Sequence, residues 1–96
     1  MPLDQETILK QVENVVDPEV GISITEMNLI DKVEIQNGDI KIELHMTTPF
    51  CPGIFAQKIA EDVKLNVSKI KGVDSIKVYV SNHFLSEQIN KNVNGE

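Results

Sequence analysis

One cysteine and two histidines stand among the 96 residues, and any covalent or metal chemistry has to start from them. Cys51 lies in Thr47-Thr48-Pro49-Phe50-Cys51-Pro52-Gly53. Proline is favoured at the first position of a helix, so Cys51 falls at the N-cap of the helix that follows. Unpaired backbone N–H groups and the positive dipole end stabilise a thiolate there. A thiolate is the form that attacks electrophiles and binds soft metals. Pro49 and Pro52 bracket Phe50-Cys51 and stiffen the turn that carries the thiol. The other reading of Cys51 is a small buried residue ahead of a helix. The hydroxyls of Thr47 and Thr48 either reach a ligand or satisfy loop backbone groups.

Asp17-Pro18-Glu19 is a second candidate. Two carboxylates flanking a proline at a helix end suit binding a cation or orienting a thiol. The alternative is a helix stop with solvated acids, and Glu26 carries the same ambiguity. His45 lies on the polar face of a strand shortly before Cys51, and His83 follows a later strand. If those two strands run parallel, Cys51, His83 and His45 meet at one end of the sheet. A mixed cysteine and histidine site for zinc or iron is chemically reasonable there, with lone surface histidines as the alternative. No Gly-x-Ser-x-Gly, P-loop or dinucleotide fingerprint is present. A thiol enzyme built on Cys51 lacks an assured base, so the chain is expected not to be an enzyme.

Charge and composition narrow the partners. Fifteen acidic residues against nine lysines give a net charge of −6, and there is no arginine. The bidentate fork that reads guanine edges and clamps phosphates is therefore missing, as is the basic footprint of nucleic-acid binding. A single thiol excludes a disulfide within the chain. It also excludes a zinc site of four cysteines, or of two cysteines and two histidines, from one chain. No apolar run approaches the ~20 residues of a membrane span. The opening Met-Pro-Leu-Asp-Gln-Glu has neither the basic flank nor the apolar stretch of a signal peptide. A cytoplasmic location is expected.

The elements that must position these residues follow from periodicity. Asp4 is a natural N-cap, and Ile8, Leu9, Val12, Val15 and Val16 fall on one helical face that must end by Asp17, before Pro18. Leu29, Val33 and Ile35 share one face of an extended segment, with Asp31 the polar exception on it. Asn37-Gly38 is the preferred pair for a type I′ hairpin turn, and Ile40, Ile42, Leu44 and Met46 alternate after it. A two-residue loop sets Ile35 opposite Ile40, Val33 opposite Ile42 and Leu29 opposite Met46. Phe55, Ile59, Val63, Val67 and Ile70 then predict a helix stopped by Gly72. Ile76, Val78 and Val80 predict a third strand, and Leu85, Ile89 and Val93 a short helix fraying towards Gly95. The expectation is an α/β chain of the α+β type, one compact domain over residues 1–96 in the order α-β-β-α-β-α. Its three-stranded sheet has helices packed on one face, and residues 84–96 form a loose C-terminal helix. Whether the third strand lies beside the first or the second is left open.

Taken in order, several fragments resemble a known family. They are Val16-Asp17-Pro18-Glu19-Val20, Ser23-Ile24, Asn28-Leu29-Ile30, Thr47-Thr48-Pro49-Phe50-Cys51-Pro52 and Gly72-Val73-Asp74-Ser75-Ile76-Lys77-Val78. Over roughly residues 7–80 the chain resembles the SufT/PaaD-like metal–sulfur cluster assembly factors, long catalogued as a domain of unknown function. The resemblance implies a role in maturing iron–sulfur proteins, by carrying clusters or by docking assembly machinery onto clients. It maps the family's cysteine onto Cys51 and its acidic motif onto Asp17 and Glu19. Implied partners are scaffold or carrier proteins, among them P-loop ATPases, apo-protein clients such as oxygenase components, and a second copy of the chain. The implied cargo is a labile iron–sulfur cluster shared between chains, because one thiolate cannot hold a cluster alone. The alternative is a metal-free adaptor with Cys51 structural or redox-sensing. Two segments depart from the family: Met27-Asn28-Leu29-Ile30 replaces Leu-Gly-Leu-Ile, and Ser81-Asn82-His83-Phe84-Leu85-Ser86 replaces a Pro-Trp-Thr segment.

Overall fold

In the computed structural model, residues 4–17, 21–46 and 53–95 are described. Asp4 opens helix α1 (Gln5–Val12) as its chemistry dictates, its carboxylate accepting the Thr7 backbone N–H at 2.8 Å. Ile8 and Val12 are the buried positions of this helix. It ends several residues before Asp17, because the backbone of Val15 and Asp17 has another use. Ile24 N–H donates to Val15 C=O, Asp17 N–H donates to Ile22 C=O, and Val16 pairs with Ser23 in an antiparallel bridge. β-branched Val15 and Val16 suit that extended pairing better than another helical turn. Val15 stays buried in the core, whereas Val16 is exposed.

Strands β1 (Ile30–Gln36) and β2 (Asp39–His45) form the expected hairpin, with Ile35 opposite Ile40 and Val33 opposite Ile42. Two details differ from expectation. Only Asn37 of the turn pair has a positive φ, 59°, so the turn is not the expected type I′, which needs two. Gly38 is required for a different reason: a Cβ there would lie 2.9 Å from the Gly72 carbonyl oxygen and closer still to the Asp74 carboxylate. The register also shifts between Ile30 and Lys32, which pair with Leu44 and Glu43. Asp31 is the extra residue of a β-bulge, and a bulge changes the facing of all that precedes it. Leu29 therefore does not pair with Met46; its carbonyl accepts the His45 N–H at 2.9 Å.

Helix α2 (Gly53–Ser68) buries Ala56, Ile59, Ala60, Val63 and Val67. It stops four residues before Gly72, where the Asn66 and Ser68 side chains bond back to the Asp62 and Leu65 carbonyls and compete with helical hydrogen bonding. Strand β3 (Ser75–Ser81) runs parallel to β2, giving the order β1-β2-β3. Ile40, Ile42 and Leu44 of β2 and Val78 and Val80 of β3 face the helices in one apolar core. The opposite face carries Lys32, Glu34, Lys41 and Tyr79, with the Lys41 ammonium 5.3 Å from the Tyr79 ring centre.

Helix α3 (Ser86–Asn94) buries Ile89 and Val93 and closes the outer edge of β3. The Asn94 amide accepts from the Val78 N–H at 3.0 Å and donates to the Val78 carbonyl at 2.9 Å. One turn earlier, Asn90 does the same for Val80, at 2.7 and 3.3 Å. These two side chains stand in for a fourth strand.

Candidate functional site

Cys51, Thr48 and Glu19 lie outside the described residues, as do the expected N-cap role of Cys51 and the first-turn role of Pro52. What the structure does fix is both flanks of the segment that carries Cys51. On one side, the Met46 N–H donates to the Ser81 carbonyl at 3.2 Å, and the Met46 carbonyl accepts from the Asn82 side-chain amide at 2.8 Å. On the other, Leu85 packs on Gly53, with its Cδ1 2.8 Å from where a Cβ would stand. Both flanks rest on the same turn after β3. The turn is built by Asn82, whose φ of 57° is left-handed and which tolerates that backbone better than most residues. It is tightened by Ser86, whose N–H and hydroxyl both donate to the His83 carbonyl, at 3.1 and 2.7 Å.

A run of backbone hydrogen bonds crosses this end of the sheet and reaches the acidic motif. The Met46–Ser81 bond adjoins His45, whose N–H meets the Leu29 carbonyl. The Leu29 N–H meets the Ile24 carbonyl at 3.1 Å, and the Ile24 N–H meets the Val15 carbonyl at 3.1 Å. Asp17 follows Val15 in the same loop. It is only 7% exposed, so it is not the solvated acid of a simple helix stop. Its backbone closes the loop, with Gly21 N–H donating to its carbonyl at 2.8 Å. His45, His83 and both flanks of the Cys51 segment thus gather at one end of the sheet, and the run of hydrogen bonds ties that end to the loop that contains Asp17.

The two histidines share that end but have different settings. Parallel pairing sets His45 beside Ser81, and His83 follows two residues on. His45 Nδ1 is 2.8 Å from Asp31 Oδ1, so any further ligand would meet Nε2. Such a carboxylate orients an imidazole in many metal sites. The bulge makes this contact by turning Asp31 outward. His83 is buried, stacks on Phe84 with ring centres 4.9 Å apart, and accepts the Leu85 N–H at Nδ1 (3.0 Å). A neutral His83 therefore carries its proton on Nε2. Ligation through Nε2 would move that proton to Nδ1 and break the bond to Leu85. Among the described residues no three His, Cys, Asp or Glu side chains are grouped to hold a metal ion. No helix among them is long and apolar enough to cross a membrane.

Periodicity did not point to three residues that build this end: Asp31, Asn82 and Phe84. Asp31 broke the alternation of its strand, which was the trace of the bulge. Asn82 sat just past a strand, where a left-handed residue often ends one. Phe84 is 65% exposed and gave no periodic signal.

Comparison with known proteins bears on the whole arrangement. The family described as iron–sulfur cluster assembly protein matches residues 5–80. An uncharacterised protein of Methanocaldococcus jannaschii is 35% identical over 91% of this chain and 90% of its own length. An Fe-S protein maturation auxiliary factor of Porphyromonas gingivalis is 32% identical over 77% of this chain and 70% of its own. An iron–sulfur cluster carrier protein of Synechocystis is 34% identical over 82% of this chain, which spans only 22% of that longer protein. Among solved structures, a conserved hypothetical protein of Thermotoga maritima superposes with a TM-score of 0.69 at 27% identity, covering 90% of this chain and 85% of its own.

Proposed function

The chain belongs to the iron–sulfur cluster assembly protein family and serves as an accessory factor in that assembly; from this premise we propose that it carries a labile cluster on Cys51 and delivers it to apo-proteins. The cluster is cargo here and not a resident cofactor. A two-iron or four-iron cluster takes four protein ligands in the usual case, and this chain has one thiol. Cys51 therefore shares the cluster with a partner: a second copy of the chain, a scaffold or carrier protein, or a small thiol. Incomplete ligation suits a protein that has to release what it binds. Asp17 or Glu19 supplies an oxygen ligand or steadies the loop, and the Thr48 hydroxyl serves the bound ligand. His45 is a better further ligand than His83, because Asp31 orients it and no internal hydrogen bond has to break.

The observation that carries this reading is the anchoring of both flanks of the Cys51 segment, at Met46 and Gly53, on the end of the sheet that also holds His45. Residues 1–96 act as one assembly domain in the cytoplasm, with no catalytic turnover of their own. The Synechocystis relative, in which the matching stretch is a fraction of a longer carrier, supports a scaffold or carrier among the partners, with P-loop ATPases the class the resemblance suggests.

The test is anaerobic reconstitution of the wild type and Cys51→Ala with iron and sulfide, followed by absorption spectra and activation of an apo-protein. Wild type is expected to take up and pass on a cluster, and Cys51→Ala to lose uptake by about tenfold or more. Equal uptake and transfer by the alanine variant would overturn ligation by Cys51, and no uptake by either protein would leave the metal-free adaptor reading in place.

A further inference from the structure

Three apolar side chains lie exposed around the turn that anchors the Cys51 segment: Ile54 at 76%, Phe84 at 65% and Leu85 at 38%. Phe84 and Leu85 line one depression together, and Leu85 packs on Gly53, the residue before Ile54 and its companion in a second depression. The fold holds them there firmly. Phe84 stacks on buried His83, the Leu85 N–H is bonded to the same ring, and Asn82 ties the turn to β2. A rigid turn that keeps an aromatic ring in water is a local conflict of the kind expected at functional sites. Contiguous exposed apolar groups rimmed by polar ones mark interaction surfaces. Here the rim is Lys58 and Glu61 on α2 and Glu87 and Lys91 on α3.

We propose that Ile54, Phe84 and Leu85 form a docking ledge for the apo-protein client, which inserts an apolar side chain beside the Cys51 segment. The ledge deepens the delivery role proposed above and rests on it. Size argues for a client and against a second copy. The three side chains offer on the order of 300–400 Å², whereas a stable interface buries about 800 Å² on each partner. A transient partner fits that area and leaves after transfer. Charge argues the same way, because two copies at −6 each repel one another. The rim of two lysines and two glutamates suits a client whose apolar anchor is flanked by residues of both signs.

The experiment uses cluster-free protein, so that docking is read apart from ligation. Binding of purified apo-aconitase, as probe, is measured by fluorescence anisotropy for wild type, Phe84→Ser, Ile54→Ser, Leu65→Ser and Cys51→Ala. Sedimentation gives the mass of each protein alone, and far-UV circular dichroism checks folding. Wild type is expected to bind in the micromolar range, and Phe84→Ser and Ile54→Ser to weaken binding by about tenfold. Leu65→Ser, which is also exposed but lies three turns along α2, is expected to bind as wild type does. So is Cys51→Ala. Unchanged binding by both ledge variants, or no binding by wild type, overturns the ledge. A wild-type dimer that Phe84→Ser dissociates also overturns it, since the occupant is then a second copy. Docking that holds while Cys51→Ala still takes up clusters would sink ligation by Cys51 and leave the ledge standing.

Discussion

The Asp4 carboxylate accepts the Thr7 backbone N–H, and that bond, with a second from the Thr7 side chain, holds its pKa below the ordinary aspartate value of 3.8. A group depressed on folding adds stability above its unfolded pKa and loses it as pH falls through the folded one. The contribution of Asp4 is thus complete above pH 3.8 and fades below it. Asn caps a helix as well as Asp does but does not titrate. Asp4→Asn is therefore expected to fold with near wild-type stability at pH 7 and to lose less stability than wild type on acidification to pH 3, read by urea unfolding across that range. A parallel acid limb in both proteins would show that the cap does not contribute. Asp4 was legible from residue type alone, because a carboxylate three residues ahead of an amide has a local use. Asp31 was not. Its partner, His45, is distant in sequence, and the bulge that joins them shows in the sequence only as a polar residue on an apolar face. Cys51 was legible as a candidate through its prolines, whereas the exposure of Phe84 depends on a turn that only the fold creates.

Helices and strands differ in how far their own sequence determines them. The hairpin, α2 and β3 follow their apolar periods, since one buried face is enough to set period and register. The end of α1 does not follow its period. Val15 keeps helical spacing yet leaves the helix, because Ile24 offers its backbone a partner from a separate segment. The role of α3 was hidden for a related reason. Leu85, Ile89 and Val93 predict its apolar stripe, but its contribution to the sheet comes from Asn90 and Asn94, polar residues that periodicity counts as solvated. Edge strands invite pairing with other chains unless they are covered, and these two amides cover β3. Removing Asn94 leaves the buried Val78 N–H and carbonyl without their partner, at a cost of about 2–3 kcal/mol. Asn90→Ala is expected to cost about 1–2 kcal/mol, since its bonds are less buried. Urea unfolding of each variant, with light scattering for self-association, tests this. Asn94→Ala within about 0.5 kcal/mol of wild type would mean that water replaces the amide.

At the scale of the whole molecule, the central strand is the stable reference and the elements around it open to different degrees. β2 is paired on both sides, antiparallel to β1 and parallel to β3, and its Ile40, Ile42 and Leu44 are buried. α2 lies across the core with five buried side chains. α1 contributes Ile8 and Val12 as its buried residues, and a side-chain bond from Gln5 to the Val33 carbonyl at 3.0 Å joins it to the edge of β1. Regions with few buried contacts open sub-globally at lower free energy than the core. Amides of α1 are therefore expected to exchange with solvent about 10–100 times faster than those of β2, read residue by residue by native-state hydrogen exchange. The end of the sheet that carries His45 and Met46 should behave like β2. Its bonds from Leu29 to His45 and from Met46 to Ser81 continue the ladders of the central strand, so His45 and Met46 amides should exchange as slowly as Leu44. The delivery role proposed above needs such a base, because the thiol has to meet a partner in a set position. If His45 and Met46 instead exchange at the rate of α1, the flanks of the Cys51 segment open independently of the sheet, and the site is assembled by the partner rather than presented to it.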